Sequence, residues 1–80
     1  MKVRVLLFAS LRERAGRSRF EVEVEADCRV EGLLRQLEND MPFLREVGRF
    51  AVAVNEDYAG PERPLRENDE IALIPPVSGG

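Results

Sequence analysis

Val30 to Met41 reads VEGLLRQLENDM. Val30, Leu33, Leu34, Leu37 and Met41 fall at i, i+3, i+4, i+7 and i+11, the spacing of a helix with one apolar face. Asp27 is placed to act as its N-cap, and Glu31 lies near the positive end of the helix dipole. Pro42 cannot continue the helix, so its end is expected at about Asn39 or Asp40. Gly32 inside a helix costs about 1 kcal/mol relative to alanine, and close packing is the expected reason for it.

Strand patterns flank this helix. Lys2 to Phe8 reads KVRVLLF, with Val3, Val5 and Leu7 on one face and Arg4, Leu6 and Phe8 on the other. Its second face is therefore partly apolar. Ser10 and Glu13 match a capping box, and Gly16 suits the residue after a helix, which predicts one short turn over 11–15. Phe20 to Glu25 alternates Phe20, Val22 and Val24 with three glutamates, the pattern of a half-buried strand. The short connection predicts that these two strands pair antiparallel.

After the helix, Arg49 to Asn55 places Phe50, Val52 and Val54 on one face and Ala51 and Ala53 on the other. Asn55-Glu56-Asp57 reads as a turn, and Tyr58-Ala59 as a short edge strand stopped by Gly60-Pro61. In the following loop Asn68 is suited to the left-handed region. Glu70 to Ile74 is a last apolar strand, expected beside the first and near the middle of the sheet. One helix crossing one mixed sheet gives a two-layer α+β domain. Residues 1–74 form the expected body and 75–80 a projecting tail.

Composition removes several classes of function. Eighty residues make one domain. Cys28 is the single cysteine, so an internal disulfide is excluded. Without histidine, a Cys/His zinc site, a Ser-His-Asp triad or a histidine general base cannot be assembled from this chain. Neither a membrane-spanning run nor a signal-peptide pattern is evident, which points to the cytoplasm. A net charge of −3 argues against nucleic acid as the main partner. Of the 12 basic residues only Lys2 is lysine. Arg12, Arg14, Arg17 and Arg19 are interleaved with or followed by glutamates, so a solvated surface is expected there.

The last strand runs into Pro75-Pro76-Val77-Ser78-Gly79-Gly80. Two prolines stiffen the exit and favour an extended backbone. Two glycines without Cβ atoms make the end thin enough to enter a slot closed to any side chain. From Pro75 to Gly80 the reach is roughly 20 Å. The terminal carboxyl of Gly80 is therefore the candidate reactive group.

Several stretches carry a family resemblance. KVRVLLFASLRERAG, VEGLLRQLE, AVAVNEDYA and above all PLRENDEIALIPPVSGG resemble the MoaD-type sulfur carriers, the small subunits of molybdopterin synthase, which have the β-grasp (ubiquitin-like) fold. The resemblance covers essentially the whole chain. Asn68 stands where that family usually has glycine, and Leu73-Ile74 where it often has two aromatics. The resemblance implies that an E1-like enzyme uses ATP to join Gly80 to AMP. A sulfur donor protein then leaves a thiocarboxylate on Gly80. The tail next enters the large synthase subunit and gives sulfur to cyclic pyranopterin monophosphate. It further implies a heterotetramer of two small and two large subunits, with no metal and no permanently bound cofactor on this chain. Alone, the chain is a non-catalytic, sulfur-donating subunit.

On that reading Gly79 gives clearance, Val77 and Ser78 fit the slot mouth, and Pro75 and Pro76 set direction. Phe8, Leu6 and Ile74 are candidates for a partner surface on the second face of the sheet, and packing under loops of the same domain is the alternative. Cys28 as a sulfur relay competes with an inert, part-buried thiol, the commoner state of a free cysteine. Tyr58 and Asp69 read as turn and edge residues. Other functions open at this point are a carrier for thiamine or tRNA thiolation, a protein modifier conjugated through Gly80, and a binding module with an inert tail.

Overall fold

The computed structural model describes residues 1–76, so Val77, Ser78, Gly79 and Gly80 lie outside the described residues. Five strands make one mixed sheet: β1 (Lys2–Leu7), β2 (Arg19–Glu23), β3 (Ala51–Val54), β4 (Asp57–Tyr58) and β5 (Glu70–Ile74). Their order is β2-β1-β5-β3-β4, so the last strand is central. It lies parallel to β1 and antiparallel to β3, and β1 pairs antiparallel with β2. Helix α2 (Val30–Asp40) packs across one face, giving the β-grasp architecture expected from the element order. Alternation decides the core: Val3, Val5 and Leu7 of β1 and Ile71 and Leu73 of β5 meet Val30, Leu33 and Leu37 of α2, all buried. No helix is long and apolar enough to cross a membrane among the described residues.

Both predicted helix caps are replaced by other devices. Helix α1 spans Ala9–Ala15 and begins at Phe8 with no side-chain cap, so Ser10 is not the N-cap and the capping box does not form. The cause is Ala9, whose φ of 49° turns the chain sharply out of β1 two residues early. Gly16 does take the left-handed C-cap conformation, with its N–H bonded to the Arg12 carbonyl. For α2 the cap is Arg29 rather than Asp27, again without a side-chain bond. The first helical N–H groups find tertiary partners instead. Val30 donates to the Arg63 carbonyl and Glu31 to that of Pro61, both at 2.9 Å. That loop satisfies the donors Asp27 was expected to take.

Other boundaries shift by one or two residues because strand ends lose their ladder partners. A 3₁₀ turn over Pro42–Arg45, not anticipated from the sequence, buries Leu44 under the helix end. The edge strand is Asp57–Tyr58 rather than Tyr58-Ala59, since the β3–β4 turn needs only Asn55 and Glu56. Both have positive φ, 50° and 73°, the twist that matches a two-residue hairpin. Asn68 has φ 69°, as expected of asparagine there. A Cβ on Gly32 would lie 3.3 Å from Cys28 Sγ, which is the close packing its presence in the helix suggested.

Candidate functional site

The site is the end of the sheet where β5 stops. Because β5 is central, its exit lies between β1 on one side and β3 on the other, and ladders on both sides fix its direction. Ile74 pairs with Ala51, and the chain then enters Pro75, which is buried, and Pro76, which is exposed. The exit is therefore anchored one residue beyond the last strand.

The face of the sheet away from α2 carries no helix among the described residues. Register sets Arg19, Leu6, Ala72, Ala53 and Tyr58 in one row across all five strands. One pleat nearer the exit lie Ile74 and Ala51. Leu6, Ala72 and Ile74 are half-buried, Phe8 is 43% exposed and Tyr58 is 78% exposed. Small alanines in the middle and larger apolar groups at the sides make a shallow apolar surface beside the exit. The candidates Phe8, Leu6 and Ile74 thus share one end of the molecule, and local loops do not bury them. Two grooves border the exit. Arg49, Phe50, Ala51, Tyr58, Ile74, Pro75 and Pro76 line one. Leu6, Leu7, Phe8, Arg12, Ser18 and Arg19 line the other.

Arg49, Ala51 and Tyr58 were not singled out as site residues from sequence. Their signal was present in the alternation that put Ala51 and Ala53 opposite the core. What could not be read was that Tyr58 sits across from Ala53 in the register. Val77, Ser78, Gly79 and Gly80, the residues expected to carry the chemistry, lie outside the described residues.

Cys28 lies at the other end, between β2 and α2. Burial raises its thiol pKa, and the carboxylates of Asp27 and Glu25 raise it further. Its Sγ bonds weakly to the Arg29 carbonyl at 3.4 Å. These surroundings disfavour the thiolate that a relay needs. Asp69 is buried and structural. Its carboxylate accepts from the Arg66 N–H at 2.7 Å and from Asn55 Nδ2 at 2.9 Å, while Asn55 Oδ1 accepts from the Glu70 N–H at 3.0 Å. This bracket ties the β3–β4 turn to the start of β5.

Comparison with known proteins decides the family. The model of the ThiS family matches residues 5–80. The chain belongs to the ThiS family. Among curated relatives of this ThiS-family chain, a molybdopterin synthase sulfur carrier subunit from Chlamydomonas reinhardtii is 39% identical, with all of both chains covered. The crystal structure of SAMP1 from Haloferax volcanii superposes with a TM-score of 0.89 at 31% identity, again over all of both chains. Subunit 1 or 2 in a complex of the molybdopterin-converting factor from Helicobacter pylori 26695 matches with a TM-score of 0.74 at 27% identity, covering both chains fully.

Proposed function

We propose that this chain is the sulfur-carrier subunit of a molybdopterin synthase. One observation carries the reading: the central strand runs into Pro75-Pro76, the start of the sequence Pro-Pro-Val-Ser-Gly-Gly, in a chain that matches a curated sulfur carrier end to end. On this proposal Gly80 is adenylated with ATP by an E1-like enzyme and then receives sulfur as a thiocarboxylate. A carboxylate is a poor electrophile, and joining it to AMP supplies the leaving group that sulfur displaces. The thiocarboxylate then attacks the cyclic pyranopterin in the active site of a large subunit. Acid and base groups are assigned to that partner, consistent with the lack of histidine in this chain. The Helicobacter complex of subunits 1 and 2 supports a large-subunit partner. The open face bearing Leu6, Phe8 and Ile74 is the surface assigned to it, in a heterotetramer of the cytoplasm.

The likeness to SAMP1, a small archaeal modifier protein, favours one second reading: Gly80 joined to a lysine of a target protein. Intact mass of the chain drawn from cells separates the two. The carrier shows one oxygen replaced by sulfur, the modifier shows adducts of larger proteins, and an inert module shows neither. Co-purification with a larger subunit, followed by conversion of the pterin precursor, distinguishes this carrier from one serving thiamine or tRNA thiolation. Gly79→Val is expected to abolish thiocarboxylate formation or transfer without unfolding the domain, with the thermal midpoint within about 4 °C of wild type. Normal transfer by that variant removes the clearance role of Gly79.

A further inference from the structure

An activated carboxyl on a long tail is a hazard to its own protein. An acyl adenylate or thioester is attacked by any amine or thiolate it can reach. The amine nitrogen bonds to the acyl carbon, AMP or thiol leaves, a proton goes to solvent, and a dead-end amide results. A thiolate would form a thioester in the same way. Guanidinium groups do not compete, because they remain protonated and delocalised. Neutral hydroxyls, such as those of Tyr58 and Ser18 near the exit, are weak nucleophiles without an adjacent base.

The competent nucleophiles among the described residues all lie at the pole opposite the exit. Lys2 is the only lysine, and it opens β1 with its carbonyl bonded to the Asn68 N–H at 2.8 Å. It is therefore level with residue 68, and strand rise puts Pro76 roughly 25 Å away. The Met1 amine is at the same pole, donating to the Val24 carbonyl at 2.7 Å and lying 3.7 Å from a Glu23 carboxylate oxygen. Cys28 is there too, its carbonyl bonded to the Leu65 N–H at 3.0 Å. Four residues beyond Pro76 reach at most about 14 Å. A lysine's four-carbon stem adds only about 6 Å. Around the exit the cations are arginines, with no amine among the described residues: Arg12 and Arg19 line one groove and Arg49 the other, all exposed.

We infer that the exit pole is kept free of amine and thiol so that the activated tail cannot acylate its own chain, with arginine carrying positive charge where lysine would be a competing acceptor. This rests on the proposed activation of Gly80.

The test installs the reactive group chemically. The full chain is made as a C-terminal thioester by intein cleavage, held dilute at mildly alkaline pH, and followed by intact mass. Wild type is expected to return only the free acid. Arg49→Lys, on the groove that holds Pro75 and Pro76, is expected to yield a species one water lighter than the acid, at a rate independent of protein concentration. Arg66→Lys, exposed at the far pole, is expected to behave as wild type. The inference is overturned if wild type closes onto Lys2 or Met1, if Arg66→Lys closes as fast as Arg49→Lys, or if Arg49→Lys only hydrolyses. None of these outcomes depends on whether cells activate Gly80, which the mass of the natural chain decides separately.

Discussion

Asp69 holds the start of the strand that leads to the tail. Its two carboxylate bonds, to the Arg66 N–H and to Asn55 Nδ2, are made in a nearly closed site, with 9% of the residue exposed. Asp69→Ala leaves those donors without their partner and is expected to lower stability by about 1–3 kcal/mol in urea titration. Cys28 gives a test by pH. Its thiol pKa is raised by burial and then by Asp27 and Glu25, so at any pH up to the ordinary thiol range less thiolate is present in the folded chain. Alkylation by iodoacetamide is therefore expected to be slower in the native protein than in urea, with its pH midpoint displaced upward. A relay cysteine would show the reverse displacement. The sequence reads Asp69 as a turn or edge residue and Cys28 as the commoner inert thiol; what it does not show is the partner Asn55, 14 positions away, that folding brings against Asp69.

At the scale of elements, the β3–β4 turn carries strain that can be relieved. Glu56 holds φ 73°, which favours glycine over any residue with a Cβ. Glu56→Gly creates an Asn-Gly hairpin turn and is expected to raise stability by about 1 kcal/mol, read as a higher thermal midpoint. Helix α2 and the strands were legible beforehand because periodicity is a local signal that survives without tertiary information. The helix starts were not. Ser10 and Asp27 are good capping residues by type, yet Ala9 turns early and the 61–63 loop supplies carbonyls to α2. Pro42 ends α2, as proline in a helical pattern predicts, but it also opens the 3₁₀ turn that buries Leu44. Proline at the first position of a helical turn loses no needed hydrogen bond.

For the whole molecule, the informative contrast is between the two faces of the sheet. One is covered by α2 and filled with valine, leucine and isoleucine. The other pairs Leu6 with Ala72 and Ala51 with Ile74 in the open. The candidate site is legible in part: strand alternation puts Leu6 and Phe8 on that second face, while for Ile74 only the order of strands does so. The grooves beside the exit were not, since they need the order of strands that are distant in sequence. If the open face seats the large subunit, Leu6→Glu should reduce co-purification by at least about tenfold, because an unpaired charge in a desolvated interface is costly. Its thermal midpoint should change little, since residue 6 is half-exposed in the free chain. Retained co-purification by that variant would move the partner to another surface.

The central place of β5 also governs how the protein bears mechanical load. If the C-terminal residues enter a partner as proposed, drawing them back out would pull along β5, whose two ladders, to β1 and to β3, lie crosswise to the pull. Such bonds are sheared together rather than unzipped singly. A tug at the C-terminus is thus spread over both neighbours, so under the proposed carrier role the chain would come free of its partner without unravelling from that end.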